Sequence, residues 1–194
     1  MEYNSHIKTR IQELIDLEHL ILDDQNLIGR IQTASDIIVS AYESGNKTLF
    51  CGNGGSAADA QHLAAELSGK FYLDRPPIHA EACHGNSSFI TAVSNDYGYD
   101  NAYARYIQAV GKKGDVLVAI STSGNSENII KALQQAQLIG MSCIVLSGST
   151  GGKMAELADI LVNVPSGDTP RIQEVHILIG HIICELVETT LFGK

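Results

Sequence analysis

Residues 115–133 read DVLVAISTSGNSENIIKAL. Val116 to Ile120 is an unbroken apolar run, the pattern of a strand buried on both faces of a parallel sheet. Five small polar residues follow around Gly124, namely Ser121, Thr122, Ser123, Asn125 and Ser126. A helix-period segment starts directly after them. Strand, hydroxyl-rich loop and helix in this order form the first part of a βαβ unit.

The same alternation extends to both sides. Short apolar runs at 48–51 (TLFC), 78–83 (IHAEAC), 116–120 (VLVAI), 143–147 (CIVLS) and 160–164 (ILVNV) predict five strands. Helical segments are expected between them at 56–68, 86–94, 99–110, 126–139 and 152–158, with a final helix over 170–191. Two amphipathic helices precede the alternation, over 7–22 and 26–44, and Gly45 stops the second. The expected fold is α/β, a five-stranded parallel sheet with helices on both faces in a flavodoxin-like arrangement, plus the N-terminal helical pair. One domain spans 1–194, with the pair at 1–45 and the α/β core at 46–194. In such sheets ligands bind beyond the carboxyl ends of the strands, near the topological switch point.

Composition narrows the partners. A formal net charge of −9 with no basic run argues against direct contact with nucleic acid. No uncharged apolar run of about 18 residues occurs, so no membrane span is expected. The N-terminal stretch MEYNSHIKTRIQELIDLEHL is charged and amphipathic, unlike a secretory signal. Cys51, Cys83, Cys143 and Cys184 are far apart and form no CxxC pair, consistent with reduced thiols and a cytoplasmic location.

Two loops at strand ends carry the candidate chemistry. The hydroxyls and N–H groups of 121–126 stand at a helix N-terminus, where the dipole favours an anion. No Lys or Arg lies in that loop, so neutral donors would hold the anion, as suits a sugar-phosphate monoester. A solvated turn with Ser126 as N-cap is the blander alternative. The other loop, CGNGGSAADAQHLAAEL from Cys51, has Gly52, Gly54 and Gly55, with Ser56 expected to cap the next helix. It is neither the GxGxxG dinucleotide fingerprint nor a P-loop.

Acid–base candidates lie on helices. His62 and Glu66 are four apart and share a face. Gln173 and His181 lie eight apart on the final helix, within a quarter-turn in projection, whereas His176 points elsewhere. Together the four would offer nitrogen and oxygen ligands suited to zinc, if the two helices meet. His6, His79 and His84 read as non-functional. In VSNDYGYDNAY (93–103), Asn95 and Asp96 are expected to break a helix, and would either bind sugar hydroxyls or cap the next helix.

The segments CGNGGSAADAQHLAAELSGKF, ISTSGNSENIIKAL, GGKMAELADI and RIQEVHILIGHIICELVE together resemble the sugar isomerase (SIS) family, in particular its phosphoheptose isomerases. The resemblance spans nearly the whole chain. It implies conversion of D-sedoheptulose 7-phosphate to D-glycero-D-manno-heptose 7-phosphate, on the way to heptose for lipopolysaccharide. It also implies a homotetramer with active sites between subunits. By motif, Ser121, Thr122, Ser123 and Ser126 would hold phosphate, and Asn53, Gly54, Gly55, Asn95 and Asp96 would line the sugar. Glu66 and His181 would be the acid–base pair, and His62, Glu66, Gln173 and His181 the zinc ligands; Glu66 and Gln173 would also touch substrate. Two positions depart from the pattern: Lys70 stands where members often carry Arg, and Pro170 where some carry Asp. The first keeps the charge but loses bidentate geometry.

A competing reading is a protein-binding module similar to the DnaA initiator-associating protein. That relative lacks the carboxylate that stands here as Glu66, so the intact Glu66/Gln173/His181 set favours an enzyme. A third, a phosphosugar-sensing regulator, would normally carry a basic helix-turn-helix segment, and none occurs here.

Overall fold

The computed structural model describes residues 3–193. Helices α1 (Tyr3–Asp23) and α2 (Gln25–Glu43) come first. Asp24 separates them by accepting the Asn26 and Leu27 N–H groups, so one carboxylate caps the second helix within a single-residue break. The core follows as β1 (Thr48–Gly52), α3 (Gly55–Ser68), β2 (Ala80–Ala82), α4 (Ser87–Tyr97), α5 (Ala102–Val110), β3 (Val116–Ser121), α6 (Glu127–Ile139), β4 (Ser142–Ser147), β5 (Ile160–Asn163) and α7 (Thr169–Phe192). Short 3₁₀ turns at Tyr99–Asn101 and Gly152–Leu157 complete it; the second replaces the α-helix expected over 152–158.

All strand pairs are parallel, in the order β2-β1-β3-β4-β5. The chain leaves β1 toward one edge and returns to β3 on the other side, so the switch point lies between β1 and β3. Gly52 there pairs with Ile120, and the two candidate loops emerge side by side. Strand residues alternate between two cores. Phe50, Val118, Ile120, Ile144 and Leu146 pack under α2, α3 and α7, while Leu49, Cys51, Leu117, Ala119, Cys143 and Val145 pack under α5 and α6.

Three expectations need correction. Gly54, not Ser56, is the N-cap of α3; the helix starts one turn-position earlier, and Ser56 is buried inside its first turn. The helix at 93–103 does not break at Asn95 and Asp96, which complete the last turn of α4. It ends at Gly98, whose φ of 81° no side chain tolerates well. The second strand, expected over 78–83, covers only Ala80–Ala82 at the edge of the sheet.

α7 is by length and composition apolar enough to cross a membrane, with mean hydropathy 1.5 over its most apolar window. Here Ile172, Val175, Ile179, Ile183 and Val187 instead form one wall of the core against the sheet. All four cysteines are free and buried.

His176 is fully buried on α7, with Nε2 at 3.2 Å from the Ser147 carbonyl. Burial pushes its pKa down to about 4, against a partial opposing pull from that carbonyl. A depressed folded-state pKa means the unfolded chain binds the proton first. Stability is therefore whole above pH 6.5 and is lost as pH falls toward the folded value. Between pH 7 and 5 this group should cost about 2 kcal/mol of unfolding free energy. Urea melts at the two pH values check this; His176→Met should flatten the difference, and an unchanged slope in that variant would refute the assignment.

Candidate active site

The hydroxyl-rich loop turns sharply between β3 and α6. Gly124 donates its N–H to the Ser121 carbonyl at 3.1 Å, closing the turn. Ser123 Oγ accepts the Asn125 N–H at 3.2 Å, so the turn alternative holds for that one hydroxyl. Ser126 occupies the N-cap position, but its side chain makes no capping hydrogen bond. Its Oγ faces Ser121 Oγ at 3.3 Å instead. Among the described residues the Thr122 side chain has no hydrogen-bond partner. The first N–H groups of α6 lack partners within the helix, as at any helix start. Neutral donors thus converge with the positive end of a helix dipole, an arrangement suited to an anion.

The glycine loop faces it across the switch point. Asn53 and Asn128 form a reciprocal amide pair, at 2.9 and 2.8 Å, which ties the β1 loop to α6. Tyr99 donates its hydroxyl to the same Asn53 Oδ1 at 2.9 Å. With that oxygen accepting twice, Asn53 offers a ligand its remaining N–H rather than an acceptor. Asn128 and Tyr99 were not among the sequence candidates. The only signal for Asn128 is an amide in the first turn of α6, and nothing in sequence places Tyr99 beside residue 53. Asn95 and Asp96, expected to line the sugar, are exposed and hydrogen-bond to each other at 2.8 Å.

A second group of side chains forms where α3 and α7 lie side by side. His62 Nε2 stands 3.1 Å from Glu66 Oε1 and 3.1 Å from His181 Nε2. One ligand atom from each lies within 4.8 Å of the others. Gly180 allows this closeness, since a Cβ there would sit 2.5 Å from Leu63 Cδ1. Two imidazole Nε2 atoms face to face need one proton between them or one cation. Ligand atoms on a tetrahedral zinc are about 3.3 Å apart, given its bond lengths of about 2.0–2.1 Å. The observed spacings and the N,N,O donor set therefore fit such an ion. Gln173 sits two turns earlier on α7, its amide 2.6 Å from where a Cβ on Gly55 would stand. It borders the glycine loop more closely than the histidine group. Asp59, one turn before His62, was also missed: it has one oxygen buried without a partner. Burial raises its pKa, partly offset by His62. Its i, i+3 spacing to His62 was the available signal.

The SIS domain profile matches residues 12–148. A phosphoheptose isomerase 2 from Campylobacter jejuni is 55% identical to this chain, over 98% of this chain and 95% of its own. The chain belongs to the SIS domain family. A phosphoheptose isomerase from Aneurinibacillus thermoaerophilus is 50% identical, covering 97% of this SIS chain and 96% of its own. The solved phosphoheptose isomerase from Francisella tularensis superposes with a TM-score of 0.93 at 36% identity, over 97% of this chain and 100% of that one. The one from Neisseria gonorrhoeae gives 0.90 at 38% identity, over 96% and 99%. As an SIS domain, the chain places its hydroxyl-rich loop and its glycine loop at one switch point, with His62 and Glu66 on the helix that leaves the glycine loop and His181 beside them on α7.

Proposed function

We propose that this protein is a phosphosugar isomerase that interconverts D-sedoheptulose 7-phosphate and D-glycero-D-manno-heptose 7-phosphate, supplying heptose for lipopolysaccharide or related glycans. Similarity over the full length to phosphoheptose isomerases supports the substrate. The single observation that carries the chemistry is the convergence of Glu66 and His181 with His62. Moving a carbonyl from C2 to C1 removes a proton from C1 and returns one to C2 through an enediol. A carboxylate and an imidazole can perform the two transfers.

The 121–126 loop would seat the phosphate with Ser121, Thr122, Ser123 and Ser126. Asn53, Gly54, Gly55, Asn95, Asp96 and Gln173 are proposed to contact the sugar. A zinc ion bound by His62, Glu66, Gln173 and His181 would polarise the substrate carbonyl. Glu66 and His181 then serve both the ion and the proton, and their two duties need separate measurement.

Assembly as a homotetramer with sites between subunits is part of the same reading. It is supported by an apolar groove of about 710 Å³ between α1, α2 and α7, with Leu22, Ile28, Ile182 and Leu186 among its exposed lining. A cytoplasmic location fits a sugar-phosphate substrate. The protein-binding alternative is disfavoured because Glu66 is present and placed with His62 and His181.

The deciding experiment is NMR of the purified protein with sedoheptulose 7-phosphate in D₂O, with zinc and with chelator. Appearance of the aldose phosphate carrying deuterium at C2 is expected. Chelator-sensitive turnover supports the metal role. No turnover under any metal condition would remove the isomerase assignment.

A further inference from the structure

Beyond the histidine–carboxylate group, a densely hydrogen-bonded buried ion pair also ties α7 to the end of α3. α7 runs parallel to α3, with Gly55 beside Gln173, Leu63 beside Gly180 and His62 beside His181. Two turns past His181, Glu188 is 1% exposed and buried with a charge. Its Oε1 accepts the Phe71 N–H and Arg75 Nε–H, both at 2.9 Å. Its Oε2 accepts the Tyr72 N–H at 2.7 Å and the Leu73 N–H at 2.9 Å.

Arg75 turns its other donors to the end of α3 and to its own neighbour Pro76. Its Nη1 reaches the Leu67, Gly69 and Pro76 carbonyls at 2.8, 3.1 and 3.1 Å. Its Nη2 reaches the carbonyl of Glu66 itself at 2.9 Å. One guanidinium therefore holds the C-terminal carbonyls of the helix that carries His62 and Glu66. One carboxylate on the helix that carries His181 holds that guanidinium. The same carboxylate fixes the backbone of Phe71, whose ring lies 5.6 Å from the His181 ring, centroid to centroid.

A buried ion pair is weak evidence for stability by itself, since desolvation offsets much of its attraction. Geometry is what this pair supplies. We propose that Arg75 and Glu188 are positioning residues that set the axial register of α3 against α7, and so bring His181 to His62 and Glu66. The catalytic meaning of that register rests on the proposed isomerase reading; the register itself does not.

The test is Glu188→Gln in the full chain, read three ways. In metal-free protein at fixed pH, proton cross-relaxation between the Phe71 and His181 rings should be present in wild type and lost in the variant. Zinc affinity by calorimetry should fall about tenfold or more, as outer-shell changes commonly produce. kcat should fall by about tenfold or more, while KM for sedoheptulose 7-phosphate stays within about twofold, because the 121–126 loop shares no contact with the clamp. A folded variant that keeps the Phe71–His181 signals and wild-type zinc affinity would overturn the proposal. If wild type shows no turnover, the isomerase reading fails, but the ring signals still decide the clamp. If Glu188→Gln does not fold, Arg75→Lys, which keeps the charge and loses most carbonyl contacts, is read by the same signals. Loss of fold in both would also overturn it, since the pair would then support the whole chain rather than one register.

Discussion

Glu66→Gln should lower kcat about a thousandfold, within the range that a single positioned proton-transfer group supplies. The substitution keeps the size and one acceptor oxygen but removes the basic carboxylate from the group around His62 Nε2. Glu66 is only half-buried and its side chain supports no other described element, so the fold should be unaffected. Thermal unfolding and NMR in D₂O make the comparison. Wild-type melting with no deuterium entering either sugar is the expected pair of results. Activity within about tenfold of wild type would leave too little rate loss for a general base, and would remove Glu66 from that role. Measuring zinc affinity in the same variant separates its two duties. A loss of turnover at saturating zinc belongs to the proton transfer.

Gly124→Ala should be the most damaging change at the phosphate loop. A Cβ there would lie 2.0 Å from the Gly151 carbonyl oxygen and 2.4 Å from its carbon, and the residue has a φ of 64°. Both obstacles are backbone, so no side chain can swing away. The Gly124 carbonyl also accepts the Met154 N–H at 3.0 Å, which locks the 3₁₀ turn Gly152–Leu157 against the loop. Left-handed geometry costs about 1–2 kcal/mol, and overpacking about 1–3 kcal/mol more. The variant should lose about 3 kcal/mol in urea unfolding and raise KM for the phosphosugar by about tenfold. Gly98→Ala is the control. It has a φ of 81° but nothing within 4 Å, so it carries the conformational cost alone. Equal destabilisation by the two substitutions would show that the contact with Gly151 is not close enough to matter.

The elements were legible because their signals are local. The unbroken apolar run of Val116–Ile120, bounded by turn residues, suits a strand covered on both faces, and a five-stranded parallel sheet of that kind is what forms. Gly45, Gly98 and Gly140 each mark a helix end with positive φ. Asn95 and Asp96 misled because polar residues also suit the last exposed turn of a helix, and only the backbone angle at Gly98 distinguishes the two. Ser56 misled for a related reason. A serine after glycines looks like an N-cap, but Gly54 takes that place and the serine is drawn into the core.

Legibility was lower for the site. Ser121 to Ser126 are contiguous, so their grouping needs no tertiary information. Asn53 with Asn128 and Tyr99, and Glu188 with Arg75, are separated by 75, 46 and 113 residues. No periodicity reports such pairs. The chain by itself determined the order of strands and helices, the hydroxyl loop and the one-face spacing of His62 with Glu66, because backbone hydrogen bonding and side-chain period act over a few residues. Only the tertiary structure decided that α7 lies parallel to α3 at contact distance and that His181 meets His62. That meeting depends on Gly180 admitting Leu63 and on burial across the sheet, interactions whose partners are brought together by packing rather than by sequence distance.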